Sequence, residues 1–253
     1  DCLRPVSRFF DRISRPEQLL TALPETMRVL TDPVETGAVT LALPQDIQAH
    51  AYDYPAHFFA PRTWSIERPL PQPQRIAEAV RLLAQAQRPV IIAGGGIHYA
   101  EAWSALQTFA ETFGIPVGET FAGKGALRHN DTLLLGGYGV TGTPAAAQIV
   151  AAADLVICIG TRLTDFTTGS HSVFQHPAVK FIHINVSSHD AYKLGALPII
   201  ADARAALQAL IQAGQAAGIQ PQPAYLDEVA AVKTKWQRQL NTEVYIQHAG
   251  EAL

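Results

Sequence analysis

The chain has 253 residues, 48% hydrophobic and 16% charged, with 19 basic against 22 acidic side chains and a net charge of −3. That composition excludes a disordered or fibrous chain and describes a soluble globular protein able to bury a core. The charges are scattered and form no basic run, which excludes a nucleic-acid-binding surface. The longest apolar stretches, such as Leu155 to Ile159, fall far short of the about 20 residues that span a bilayer.

The start, Asp1-Cys2-Leu3-Arg4-Pro5, has neither the basic region nor the apolar core of a signal peptide. Two lone cysteines form no disulfide framework, and Cys158 sits inside an apolar strand pattern as a buried thiol. A reducing cytoplasm is the expected location. No initiator Met is present, and the end, Thr242 to Leu253, reads as a helix without a stop signal. Both ends read as cuts.

A helix is predicted from Arg15-Pro16-Glu17 to about Leu30, striped by Leu19, Leu20, Leu23, Met27 and Leu30. A strand follows over Ala38 to Leu43. One helix and one strand cannot close a core, so residues 1–48 are expected to be the end of a preceding domain. Residues 49–74 are broken by Pro55, Pro61, Pro69, Pro71 and Pro73, and carry Tyr52, Tyr54, Phe58, Phe59 and Trp64. They read as an extended linker held by its rings.

From residue 75 to 222 helices alternate with short apolar strands. Helices are predicted over 73–86, 100–113 and 144–152, the last with Thr143 as N-cap and Pro144 in its first position. Strands are predicted at 89–93, 116–118, 155–159, 181–185 and 197–201, and Asp202 caps a further helix. Strands apolar at every position belong in a parallel sheet covered on both faces. Alternation with helices makes the fold class α/β, a doubly wound, Rossmann-like sheet. Residues 223–253 read as a helix leading to another domain.

Ligands in such sheets collect at the carboxyl ends of the strands. Gly94-Gly95-Gly96 follows one strand and either brings backbone N–H groups to a phosphate or simply makes a tight turn. Gly137-Tyr138-Gly139-Val140-Thr141-Gly142 matches G-x-G-x-x-G literally. It is discounted because it lies mid-fold, after an expected loop, with its helix opening only at Pro144. Gly160 to Gly169 follows the most apolar strand, and its Arg162 faces either a phosphate or, preferably, Asp165 as a loop-bracing ion pair.

The nine histidines show no H-E-x-x-H and no paired Cys/His spacing, so no metal ligands are assigned. No G-x-S-x-G elbow is present. Lys124 in Ala122-Gly123-Lys124-Gly125 lacks the glycine spacing and the Ser or Thr of a phosphate loop. No catalytic residue is assigned.

Taken together, Pro89 to Gly96, Gly114 to Val117 with Gly123 to Ala126, Leu135 to Pro144, Ala153 through Gly169 and Ile200 to Leu207 resemble the middle domain of thiamine-diphosphate enzymes, a family that includes acetolactate synthase and pyruvate oxidase. Gly37 to Asp46 looks like the end of the family's pyrimidine-binding domain, and the tail from Trp236 like the helix entering its pyrophosphate-binding domain. Arg4 to Arg8, Asp11-Arg12-Ile13, Leu43 to Asp46, Ala51 to Pro55 and Gly160 to Gly169 are most similar to the branch that hydrolyses a C–C bond of a cyclic 1,2-dione in inositol catabolism. Leu163-Thr164-Asp165-Phe166 departs from the Arg-Phe-Asp-Asp loop of acetolactate synthases.

The resemblance implies a longer enzyme that uses thiamine diphosphate and Mg²⁺ and works as a homodimer or homotetramer with the missing domains of the same polypeptide. Its activating glutamate would precede Asp1 and its Gly-Asp-Gly motif would follow Leu253, so this chain is expected to bind neither group and to act as scaffold. In some relatives the middle domain binds FAD or ADP. Gly94, Gly95, Gly96, Gly139, Arg162 and Asp165 match the positions facing that nucleotide and form the candidate site, expected here to be vestigial. The alternatives are the middle domain of an acetolactate synthase-like enzyme or semialdehyde decarboxylase, and an FAD- or ADP-binding regulatory module.

Overall fold

The computed structural model describes residues 1–245. The chain divides into two compact units, residues 1–68 and residues from Pro69 onward.

In the first unit, β1 (Phe9–Arg12) and β2 (Val39–Ala42) pair in parallel, in the register Phe9 with Val39 through Arg12 with Ala42. Helix α1 (Leu19–Thr31) connects them and runs through an internal Pro24. Strand β1 was not anticipated from sequence, because Phe9-Phe10-Asp11-Arg12 is too short and too polar to show a period. A short α2 (Gln45–Gln48) follows. The unit buries few apolar side chains fully, among them Ile13, Ala22 and Val29, while every residue of β2 stays half-exposed. In the proline-rich stretch the Tyr54 and Phe58 rings stack with centroids 5.1 Å apart, and Tyr52 meets Tyr54 edge-on at 4.8 Å. The Tyr54 hydroxyl donates to the Pro16 carbonyl at 2.9 Å.

The second unit alternates regularly. Helix α3 (Pro73–Gln85) has its proline at the first position, where no N–H is needed. It leads to β3 (Pro89–Ala93), a short α4 (Gly96–Tyr99), α5 (Trp103–Phe113) and β4 (Val117–Glu119). The helix expected over 100–113 is α5, which begins only at Trp103 because Glu101 takes φ 50° and separates it from α4. Strand β5 (Leu134–Gly137), α6 (Pro144–Ala151), β6 (Leu155–Ile159) and α7 (Asp165–Thr168) come next. The run closes with β7 (Lys180–Asn185), α8 (Ser188–Ala191), β8 (Leu197–Ile200), α9 (Ala203–Ala216) and α10 (Pro223–Gln239). Helix α10 occupies residues 223–239 of the helix expected over 223–253, and the end of that range, 246–253, lies outside the described residues.

All six strands are parallel, in the order β5-β4-β3-β6-β7-β8. Numbered within this unit, the order reads 3-2-1-4-5-6, the doubly wound arrangement whose order reverses between β3 and β6. Every residue of β3 and β6 is buried, as their unbroken apolar runs require. Proline appears only where a ladder tolerates it: Pro89 opens β3 and Pro198 lies in the edge strand β8.

Two apolar layers cover the sheet. One packs Ile91, Ile157, Ile182 and Ile199 against α3, α5 and α9 through Leu83, Leu106, Phe109 and Leu207. The other packs Val90, Ile92, Val156 and Cys158 against α6 and α10 through Ile149, Val150, Tyr225 and Val229. The helix starts are capped as sequence reading expected: Thr143 Oγ1 accepts the Ala146 N–H at 3.1 Å, and Asp202 Oδ1 accepts the Ala205 N–H at 3.1 Å. Among the described residues no helix is long and apolar enough to cross a membrane.

Phe109 is fully buried and meets Phe113 edge-to-face at 5.2 Å. Phe109→Ala should cost about 3–5 kcal/mol of unfolding free energy, read as a lowered urea midpoint with an unchanged slope.

Candidate functional site

The strand order places the candidate site where β3 and β6 diverge, and the glycine turns are shaped there by one another. A Cβ on Gly96 would stand 2.5 Å from the Gly160 Cα, and one on Gly160 would stand 2.4 Å from the Gly96 Cα. Gly94 meets the Gly160 carbonyl at 2.4 Å in the same test. Gly160 also takes φ +60°, the left-handed conformation that L side chains avoid. The two turns therefore touch backbone to backbone.

Hydrogen bonds lock this contact. The Gly94 N–H donates to the Ile159 carbonyl at 2.8 Å, the Gly96 N–H to the Gly160 carbonyl at 2.9 Å, and the Gly160 N–H to the Ile184 carbonyl at 2.9 Å. Gly94 and Gly96 thus make the close backbone contacts of a tight turn. Their N–H donors are engaged within the fold. Gly95 sits more loosely, its would-be Cβ 3.3 Å from the Ala122 methyl.

The G-x-G-x-x-G run departs from expectation in its context. It follows strand β5 rather than a loop, because Leu134-Leu135 supply a short apolar edge strand that two glycines disguise. Its helix does begin only at Pro144. Gly139, at φ +106°, backs onto the third turn: its would-be Cβ lies 2.6 Å from the Phe166 carbonyl, which also accepts the Val140 N–H at 2.9 Å.

Arg162 and Asp165 are both exposed and no ion pair joins them, so the expected loop brace is absent. Asp165 instead opens α7, and the Arg162 carbonyl accepts Lys193 Nζ at 2.5 Å. Between them Leu163 is left-handed, φ 47°, and buried. What braces this loop is Lys193, which also pairs with Asp190 at 2.6 Å.

Sequence reading missed two residues beneath the loop. His183 Nε2 and Asn185 Nδ2 both reach the Thr161 carbonyl, at 2.9 and 2.8 Å, and Asn185 Oδ1 accepts the Ser187 N–H at 2.9 Å. The signal was available: polar residues two apart in the apolar run of β7 share one face. His183 is wholly buried, and its Nδ1 has no hydrogen-bond partner. An Nε2–H donating to a carbonyl leaves Nδ1 bare, so the ring is neutral. Burial holds its pKa below the ordinary imidazole value, against the opposing pull of the Thr161 carbonyl.

Other buried groups are inert. Burial pushes the Cys158 thiol and the Tyr138 hydroxyl well above their ordinary ranges, so neither ionises near neutrality. Glu119 is buried at the end of β4, where Oε1 accepts the Leu127 N–H at 2.9 Å. Among the described residues no three His, Cys, Asp or Glu side chains gather to hold a metal ion. An open pocket of about 310 Å³ lies at the opposite end of the sheet, bounded by Pro89, Phe113, Gly114 and Gly218. Its polar neighbours are engaged: Gln222 Nε2 donates to Ala86 O at 2.7 Å and the Tyr225 hydroxyl to Pro89 O at 3.1 Å.

Two expectations follow. Gly160→Ala should destabilise by about 2–4 kcal/mol, combining overpacking with left-handed strain, while Gly95→Ala should cost well under half of that, both read by urea unfolding. For His183 the unfolded ring binds more protons than the folded one below the ordinary imidazole pKa of about 6.5. Stability should therefore be full above that pH and fall as pH drops through it. Comparing urea midpoints at mildly acidic and neutral pH should show the loss, and His183→Gln should flatten the dependence.

The chain resembles known proteins along nearly its whole length. It is 52% identical over 241 residues to 3D-(3,5/4)-trihydroxycyclohexane-1,2-dione hydrolase of Bacillus cereus (strain AH820), covering 95% of this chain and 37% of that protein. It is 49% identical over 251 residues to 3D-(3,5/4)-trihydroxycyclohexane-1,2-dione hydrolase of Bacillus thuringiensis (strain Al Hakam), covering 99% of this chain and 39% of that protein. The chain thus spans well under half the length of these relatives. An X-ray structure from Mycobacterium smegmatis, assigned as a thiamin diphosphate-dependent enzyme, superposes with a TM-score of 0.63 at 22% identity over 83% of this chain and 40% of that one, and so shares the fold. The family model for the central domain of thiamine pyrophosphate enzymes matches residues 76–210, from the first turns of α3 into α9. This chain belongs to that family, thiamine pyrophosphate enzymes, through their central domain.

Proposed function

We propose that this chain is the interior part of a thiamine-diphosphate-dependent hydrolase that cleaves a C–C bond of a cyclic 1,2-dione in inositol catabolism, and that it serves there as scaffold. The observation that carries the reading is identity near one half over essentially the whole chain to hydrolases more than twice as long. An acetolactate synthase-like or semialdehyde decarboxylase activity is less well supported, because Leu163-Thr164-Asp165-Phe166, with Leu163 left-handed and Asp165 opening α7, stands in place of the Arg-Phe-Asp-Asp sequence.

The residues present do not fit thiamine diphosphate and its metal. No Gly-Asp-Gly occurs in the sequence, and the described residues offer no cluster of three metal-ligating side chains. No catalytic step is assigned to this chain. In this reading thiamine diphosphate and Mg²⁺ are held by other parts of a cytoplasmic homo-oligomer, and the domains missing here are its principal partners.

The turns also argue for a vestigial rather than working nucleotide site. Gly94 and Gly96 spend their N–H groups inside the fold, Gly139 backs onto Phe166, and Arg162 and Asp165 do not converge. Hydrolysis needs no redox cofactor, so FAD has no chemical role, and a regulatory FAD or ADP module finds no preformed phosphate cradle.

Two measurements test this. Isothermal titration of the 253-residue chain with thiamine diphosphate and Mg²⁺, and separately with FAD and ADP, should give no stoichiometric heat. The longer polypeptide should hydrolyse a trihydroxylated cyclohexane-1,2-dione only when supplied with thiamine diphosphate and Mg²⁺. Turnover of pyruvate to acetolactate with no dione hydrolysis would overturn the assignment.

A further inference from the structure

Between residues 73 and 239 the exposed large apolar side chains all lie at one end of the sheet. Tyr99 and Trp103 follow β3, Phe121 follows β4 and Val140 follows β5. Phe166 follows β6, Tyr192 follows β7, and Ile200 ends β8. Each strand thus delivers an apolar side chain to solvent at its carboxyl end, and none does so at its amino end. Tyr99 and Phe121 are 90% and 93% exposed, although a buried aromatic ring removes about 150–250 Å² from water. Single exposed apolar residues need no explanation, but a row along one edge marks an interaction surface.

The row stands on a rigid base. The turns that carry it are the ones locked together by glycine contacts: the β3 turn on the β6 turn, the β5 turn on α7, and Gly95 beside Ala122 next to Phe121. Lys193, next to Tyr192, ties the β7 side to the Arg162 carbonyl. A surface already fixed in place loses little entropy on docking. Aromatic residues at its centre and the charged Lys124, Arg162 and Asp165 among them give the make-up of a protein interface.

We infer that this edge is the docking face for a part of the same polypeptide that lies outside these 253 residues. The inference rests on the reading of the chain as an interior piece of a longer enzyme. Two observations select this occupant. The relatives are 37% and 39% covered, so most of their length is available to cover the face. The polypeptide also enters this unit at the same edge, where the Asp202 N–H at the end of β8 donates to the Pro69 carbonyl at 2.8 Å. A tether fixed there raises the effective concentration at this edge of everything on its amino-terminal side, which in the longer polypeptide includes whatever precedes residue 1.

Hydroxyl-radical footprinting of the unmutated longer polypeptide tests this without altering the face. Tyr99, Phe121 and Phe166 should be oxidised at least fivefold more slowly in the folded polypeptide than in the same polypeptide denatured, independent of protein concentration. Oxidation at the denatured rate would show an open edge and overturn the inference. Protection lost on dilution would assign the face to a second copy, and protection appearing only with added FAD or ADP would assign it to a nucleotide; either result also overturns it. Dione hydrolysis measured on the same sample keeps the two readings apart, since an inactive but protected polypeptide sinks the assigned reaction and leaves the docking face standing.

Discussion

The structure of the sheet unit depends on one steric constraint, the backbone-to-backbone contact between the turns that leave β3 and β6. Gly96 and Gly160 approach so closely that neither can carry a Cβ. These strands flank the point where strand order reverses, beside which doubly wound sheets usually take ligands. The surrounding turns adapt to it. Gly123 must lie against the Ala93 carbonyl, Gly139 against Phe166, and the Thr161 carbonyl is drawn inward to accept from His183 and Asn185.

That arrangement gives the glycines of these turns a steric role of their own. Glycine is selected either to admit a ligand or to admit another backbone, and the sequence pattern is the same in both cases. Here the N–H groups of Gly94 and Gly96 finish in carbonyls of β6 and its turn. The polar groups under the loop are likewise spent on architecture. His183 and Asn185 hold Thr161, Lys193 holds Arg162, and Glu119 holds Leu127. These bonds tie the turns at the edge where the apolar side chains emerge to the sheet and to one another.

The two units differ in how far they can stand alone. The sheet unit has two continuous apolar layers, with Phe109, Ile157 and Leu207 on one side and Val156, Ile149 and Val229 on the other. The leading unit is a parallel pair with one helix and a few buried side chains. Parallel sheets are stable when both faces are covered and several strands pair. Its two strands are largely half-exposed.

The sequence by itself determined the fold class, because apolar runs such as Val90-Ile91-Ile92-Ala93 and Leu155 to Ile159 can be satisfied only by burial on both faces. It also determined the helix starts at Pro73, Thr143-Pro144 and Asp202, since a cap is chemistry between near neighbours. It did not reveal β1 or β5, whose short runs are too few in residues to carry a period. Tertiary structure alone decided which backbones the glycines admit, that no ion pair joins Arg162 to Asp165, and that His183 belongs to the loop after β6. Those outcomes depend on residues far apart in the chain, such as Gly96 and Gly160 or Thr161 and His183, meeting across neighbouring strands. A local pattern holds no record of such distances.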